Sequence, residues 1–91
     1  MTIFAIIVQP NVAPGKLSDA IAAKIGDAKY VIDGGHGWLV ASTKTAKELS
    51  DELGITDGTN GGALVLEVAS YFGRANPSVW TWIKNNWETA R

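Results

Sequence analysis

The chain contains no cysteine, and this absence excludes three kinds of chemistry. A disulfide scaffold, a thiol nucleophile and a thiolate zinc site all require cysteine side chains. Neither sign of charge dominates, because eight Lys and Arg residues are balanced by nine Asp and Glu residues, for a net charge of −1. The chain therefore has no overall positive potential that would attract nucleic acid, although the net charge does not exclude a local basic patch.

Long hydrophobic runs are also missing. No apolar stretch approaches the length of about 18 residues that a membrane helix needs, so we expect a cytoplasmic protein with no membrane partner. The apolar start of the chain lacks a cationic segment and breaks at Gln9 and Pro10, which favours a buried strand over a signal segment. A hydrophobic content of 46% supports a packed core, and the length of 91 residues predicts one domain, residues 1–91.

The hydrophobic pattern predicts four strands and three helices. The predicted strands are residues 3–8, 29–33, 38–41 and 63–69, and the predicted helices begin near residues 17, 46 and 77. Thr45 and Glu48 have the spacing of a capping box at the second helix. Right-handed crossovers and a hairpin between the second and third strands predict an α+β fold. We expect a ferredoxin-like βαββαβ sheet with strand order 4-1-3-2 and an additional C-terminal helix.

This topology brings three loops, residues 9–15, 33–37 and 54–62, to one end of the sheet. They contain eight of the ten glycines. Exposed backbone amides at a helix start can hold an anion, and a nearby lysine adds positive charge. The candidate ligand-binding residues are Asn11, Lys16, Asp33, His36, Asp57 and Asn60. The alternative interpretation, which we favour, is that three tight turns require glycine for conformational reasons.

Asp33, His36 and Asp57 form the one plausible acid–base or hard-metal group. Carboxylates with an imidazole can hold Mg²⁺ or Mn²⁺, which gives the alternative of a metal-dependent phosphodiesterase or nuclease. Both aspartates precede glycine, a common turn sequence, so we favour a structural or solvated role for them. Since no phosphate-binding loop, dinucleotide fingerprint, nucleophile elbow or zinc signature occurs, we assign no catalytic residue, no metal ligand and no cofactor.

The opposite end of the sheet offers an alternative anion site. Lys44 and Arg74 can clamp a phosphate beside the helix that starts at Thr45. Tyr71 or Phe72 can stack on a base. The competing interpretation, again favoured, is that these two rings cover the edge of the sheet while Arg74 lies on the surface.

The fourth strand and the last helix predict an interface. Residues 63–69 form an edge strand with a single charge, Glu67, and no proline, although soluble proteins usually blunt such an edge or cover it. The last helix is amphipathic, and a chain of this size has little room for three helices on one face of its sheet. We therefore expect part of this helix to contact a second copy. The predicted interface residues are Val65, Trp80, Ile83 and Trp87.

The short βαββαβ chain with a strongly apolar first strand resembles the small CRISPR adaptation nuclease subunit and the short uncharacterised proteins related to it. The segment from residue 64 to residue 82, a strand followed by Tyr71-Phe72-Gly73 and a tryptophan-containing helix, is similar to the uncharacterised group. The resemblance implies the fold, a homodimer, and a nucleic-acid or nucleotide partner. The nuclease subunits carry a metal-binding aspartate at the end of the first strand. Gln9 occupies that place here, and no acid precedes Asp19, so we do not expect nuclease activity.

These observations favour a small non-catalytic binding or regulatory module that acts as a homodimer. Its further partner is expected to be a nucleotide-like ligand, a nucleic acid or a protein. Two alternatives remain open at this point: a metal-dependent phosphodiesterase or nuclease, and a structural subunit of a larger complex.

Overall fold

The computed structural model of the chain describes residues 2–9, 12–32 and 35–90, with residues 88–90 described by their backbone alone. These residues form four strands and three helices. In chain order the elements are β1 (Thr2–Val8), α1 (Gly15–Lys24), β2 (Lys29–Ile32), β3 (Gly37–Ser42), α2 (Ala46–Glu52), β4 (Ala63–Glu67) and α3 (Pro77–Ala90). No helix in the described part of the chain combines the length and hydrophobicity that crossing a membrane requires.

The four strands form one antiparallel sheet in the order β2-β3-β1-β4. Counted from the other edge this order is 4-1-3-2, so the predicted strand order and the α+β class are confirmed. The fourth strand is shorter than expected and ends at Glu67 instead of residue 69. The amide of Val68 still donates to the carbonyl of Ile3 (2.9 Å), so one further hydrogen bond to β1 follows the end of the strand.

The main core lies on one face of the sheet. Phe4, Ile6 and Val8 alternate along β1 and are all buried, as expected for side chains that share one face of a strand. They pack with apolar side chains of β3, of both neighbouring helices and of the turn after α2. The other members of this cluster are Leu17, Ile21, Trp38, Val40, Leu49, Leu53 and Ile55. Helices α1 and α2 therefore cover this face.

Helix α3 packs on the opposite face. Cross-strand partners point their side chains to the same side of a sheet, and the register links Ala5 to Leu39 and Leu39 to Tyr30. The ring of Tyr30 lies 6.3 Å from that of Trp82, and its hydroxyl shares a hydrogen bond of 2.6 Å with Ser78. The three helices thus form two layers around the sheet.

The second layer removes the premise on which part of α3 was expected to contact a second copy, namely that three helices would have to share one face of the sheet. Ile3 of β1, Ala41 of β3 and Ile83 of α3 are buried, and none of them belongs to the main core cluster. Because β1 is apolar on both faces, α3 has a second apolar surface to cover within its own chain.

The predicted start of α2 is confirmed by its hydrogen bonds. Thr45 Oγ1 accepts from the backbone amide of Glu48 (3.1 Å), and the Glu48 carboxylate accepts from the backbone amide of Thr45 (2.9 Å). Two otherwise unpaired donors of the helix terminus are satisfied in this way. The helix is followed by Gly54 at a φ of +72°, a conformation that glycine adopts without strain.

Candidate functional site

The loops after β1, between β2 and β3, and before β4 meet at one end of the sheet, as predicted. The amide of Val8 donates to the carbonyl of His36 (3.0 Å), and the amide of Gln9 donates to that of Gly62 (3.2 Å). A cavity of about 450 Å³ lies between the start of α1 and the loop before β4. Its lining residues are Ala13, Gly15, Lys16, Gly58, Thr59, Asn60 and Gly61.

Two of the predicted ligand-binding residues at this end are engaged in building the loop. The side-chain amide of Asn60 donates to the carbonyl of Leu53 (2.7 Å), and its backbone amide donates to Gly54 (2.9 Å). Asp57 Oδ1 accepts from the backbone amide of Thr59 (2.9 Å), which is the bond of an Asx turn. This bond lowers the pKa of Asp57. Both side chains therefore have a structural role, and Asp57 adds negative charge near the cavity.

Of the remaining predicted residues at this end, the structure describes two. Lys16 lines the cavity and is exposed, whereas His36 is exposed in the β2–β3 turn. Asn11 and Asp33 lie outside the described residues. Within residues 2–9, 12–32 and 35–90, no three His, Cys, Asp or Glu side chains form a group that could hold a metal ion.

At the opposite end of the sheet, two residues of the alternative anion site make other contacts. Lys44 Nζ lies 2.7 Å from a Glu52 carboxylate oxygen, and this contact raises the pKa of Lys44. Thr45 is occupied in the capping box with Glu48. Arg74 is exposed in the segment before α3. Lys44 and Thr45 are therefore both engaged in contacts with side chains of α2.

The outer edge of β4 offers backbone groups to a partner. The bonds from Val68 to Ile3 and from Gln9 to Gly62 mark hydrogen-bonded pairs at the two ends of the β1–β4 ladder. In an antiparallel ladder such pairs alternate, so even-numbered residues of β4 point their N–H and C=O groups towards β1. The odd-numbered residues, which are Ala63, Val65 and Glu67, point theirs away from the sheet, because β4 is its last strand on this side.

The same strand also carries exposed apolar side chains. Leu64 and Leu66 are the partners of Ile7 and Ala5 in the register, which places them on the face that α3 covers. Leu64 is 54% exposed, Leu66 46% and Ile7 44%. Helix α3 shields the end of this face near Ile3 and leaves the end near Ile7 uncovered. We call Ile7, Leu64 and Leu66 the open half-face.

The four side chains predicted to form an interface are placed differently. Val65 is half-buried against the main core, and Ile83 is buried under α3. Trp80 and Trp87 are half-buried and both contact the ring of Tyr71. The exposed leucines beside Val65 were not singled out by the sequence analysis. The signal was present, since an edge strand that is apolar on both faces must expose one of them unless something covers it.

A second cavity, of about 330 Å³, lies between α3 and the segment that precedes it. It is lined by Tyr71, Phe72, Gly73, Trp80 and Lys84. The ring of Tyr71 stacks on that of Trp80 at a centroid distance of 6.0 Å and meets that of Trp87 edge-on at 5.1 Å. We call this the aromatic cavity.

No known protein family, curated protein or solved structure matches the chain. The interpretation of its surfaces therefore depends on their geometry and chemistry.

Proposed function

We propose that this chain is a small non-catalytic binding module that acts as a homodimer, formed when the β4 strands of two copies pair along their outer edges. The observation that carries the proposal is the open half-face beside the outer edge of β4, which no other described strand pairs. Contiguous apolar side chains next to free backbone donors and acceptors are the surface that an added strand covers.

The sequence of β4 is complementary to itself. In an antiparallel pairing centred on Val65, Leu64 of each copy lies opposite Leu66 of the other, and the four leucines form one apolar cluster. Glu67 lies opposite Ala63 of the second copy. The two Glu67 carboxylates are then about 14 Å apart along the strands, which is beyond the screening length at physiological salt. The one charge of the strand therefore does not oppose this pairing.

The backbone directions fit the same register. With Val65 on the twofold axis, the outward-facing residues of both strands become hydrogen-bonded pairs. Three residues on each copy supply one donor each, which gives six hydrogen bonds. Their net contribution is about 3 to 9 kcal/mol, comparable with the entropic cost of association. The contact between the leucines is therefore needed to make the dimer stable.

The other edge of the sheet is a poorer candidate. The bond from the Ala41 amide to the Ala28 carbonyl (2.9 Å) shows that Lys29 and Val31 are the outward-facing residues of β2. Two residues form a shorter ladder than three, and a lysine on an edge strand discourages pairing. Pairing through β4 is therefore favoured over pairing through β2.

The finer fold assignment belongs to the same proposal. The strand order and the alternation of helices and strands support a ferredoxin-like sheet with an added helix. The relation to the small CRISPR adaptation nuclease subunit is part of the same proposal and rests on the resemblance of the sequence alone. A metal-dependent phosphodiesterase has no specific observation in its favour among the described residues. A structural subunit of a larger complex would use the β4 edge for a different protein, an alternative that the experiment below separates.

The experiment uses opposite charges on the open half-face. We expect the double variants Leu64→Lys/Leu66→Lys and Leu64→Glu/Leu66→Glu to be monomers, since like charges then face each other across the interface. Their mixture should form a one-to-one heterodimer, because lysines then face glutamates. Both positions are about half exposed in the single chain, so the variants should fold. Val31→Lys, at an equally exposed position on β2, is the matched control and should remain dimeric.

Sedimentation velocity at micromolar concentration gives the oligomeric state of each of these four samples and, separately, of the unchanged chain. A monomeric unchanged chain contradicts the homodimer and leaves the edge to another protein. A dimer that survives both double variants, or a mixture that stays monomeric, contradicts the proposed register.

A further inference from the structure

We propose that the aromatic cavity binds a single nucleotide, with the base against the rings and the phosphate at Lys84. The site is separate from the β4 edge, and the inference does not depend on dimerisation.

The first support is a preorganised aromatic wall. Tyr71 is held by two tryptophans of α3, stacked on Trp80 with 25° between the ring planes and edge-on to Trp87 at 72°. A ring fixed by two neighbours loses little conformational freedom when a ligand stacks beside it. Stacking on aromatic side chains is tolerant of base identity, because every base has a π-face.

The second support is Phe72. This side chain lines the cavity and is nevertheless fully exposed to solvent. Covering a solvated phenyl ring with an apolar surface is favourable, because apolar area is removed from water. Gly73 follows at a φ of +149°, a backbone conformation that side chains rarely adopt, and a Cβ there would meet no atom within 4 Å. Glycine is therefore favoured here by the backbone conformation. Phe72 and Tyr71, which precede it, both line the cavity.

The third support is charge. Lys84 lies four residues after Trp80, so both side chains are on the same side of α3. None of the described side chains that line the cavity is acidic. Among the described side chains, the ion pairs involve Lys44 and Lys47 and not Lys84. An exposed ammonium beside aromatic rings is complementary to a ligand that combines a planar ring with an anionic group.

The size of the cavity favours a single unit over a strand. A volume of about 330 Å³ is near the lower limit of small-molecule sites. Proteins that track a single strand use a groove with a series of cations along the backbone, whereas the described residues that line this cavity include one lysine. The net charge of −1 adds no general attraction for a polyanion.

Isothermal titration with adenosine 5′-monophosphate tests the site. We expect saturable binding of one nucleotide per chain, weaker binding of adenosine, and still weaker binding of inorganic phosphate. Phe72→Ala should reduce the affinity about 10-fold, because stacking on one ring is removed. Lys84→Gln should reduce the affinity for the nucleotide but not for adenosine. Lys24→Gln, an exposed lysine on α1, is the matched control and should bind as the unchanged chain does.

Further samples distinguish this ligand from its competitors. The monomeric Leu64→Lys/Leu66→Lys variant should retain binding, which keeps this test independent of the proposed dimer. No saturable binding, or binding unchanged in both Phe72→Ala and Lys84→Gln, overturns the proposal. Equal affinity for indole-3-acetate overturns the nucleotide assignment. Much tighter, steeply salt-dependent binding of a short oligodeoxyadenylate overturns the single-nucleotide assignment.

Discussion

Truncating Ile83 tests whether α3 is docked on the second face of the sheet. Ile83 is 6% exposed and is the buried side chain of α3. Replacing a buried isoleucine by alanine costs about 2 to 5 kcal/mol, because apolar burial is lost and a cavity remains. Its helical neighbours are half-buried, so the site can partly collapse, and alanine regains a few tenths of a kcal/mol of helix propensity. We therefore expect Ile83→Ala to lower the free energy of unfolding by about 2 to 3 kcal/mol.

This loss is large for a chain of this size. A domain of 91 residues has a free energy of unfolding of about 5 to 14 kcal/mol. The corresponding decrease in melting temperature is about 10 to 20 °C. Urea unfolding followed by far-ultraviolet circular dichroism measures the difference, and repeating it at two protein concentrations separates folding from association.

Thr81 provides the control within the same helix. It is exposed, and its hydroxyl donates to the carbonyl of Pro77 (3.1 Å). Thr81→Ala should change the free energy of unfolding by less than about 0.5 kcal/mol. If Ile83→Ala costs no more than Thr81→Ala, α3 is not packed on the sheet and the two-layer arrangement of helices is refuted.

The remaining predictions concern residues at the ends of α2 and at the start of α1. Thr45→Ala should cost about 1 kcal/mol, because the capping bond is lost. The backbone amide of Thr45, which donates to the Glu48 carboxylate and is retained in Thr45→Ala, lowers the pKa of Glu48 in the folded chain. Stabilisation by this bond is full above the unfolded-state pKa of Glu48 and is lost as the pH falls through its folded-state pKa, so in urea unfolding the unchanged chain should lose its advantage over Glu48→Gln across that range. Gly54→Ala should destabilise the chain by about 1 to 2 kcal/mol, since its φ is +72° and a Cβ there would lie 2.5 Å from Asn60 Nδ2. Gly15→Ala, which meets no atom within 4 Å and has an ordinary φ, should be neutral in thermal unfolding.

The strand order was predictable because each constraint was local. A continuous apolar first strand, a hairpin and right-handed crossovers leave few arrangements of four strands. The position of α3 on the sheet was harder to predict from the sequence. The helical periodicity of Val79 and Ile83 identifies an apolar stripe but not the surface that it meets. The continuous apolar run of β1 indicates that both faces of this strand are covered, but it does not indicate which helix covers the second face.

The candidate sites show a similar division. Topology predicted that the glycine-containing loops meet, and the spacing of Asp57 and Thr59 is an Asx-turn signal that indicates a structural role for the aspartate. Only part of the aromatic cavity could be predicted from the sequence. Tyr71 and Phe72 are recognisable as stacking candidates, whereas Lys84 joins them from more than ten residues away through the docking of α3. Such a juxtaposition has no signature in a single sequence.

The most direct test of the proposed dimer places one cysteine on its twofold axis. The unchanged chain has no cysteine, so a single introduced thiol reports on one position. In the register centred on Val65, the Cα atoms of the two Val65 residues are about 5.5 Å apart, within the range that a disulfide spans. The two Glu67 residues are about 14 Å apart, beyond that range. Under mild oxidation, Val65→Cys should form a covalent dimer on a non-reducing gel and Glu67→Cys should remain monomeric. Cross-linking of Glu67→Cys without cross-linking of Val65→Cys would contradict the account.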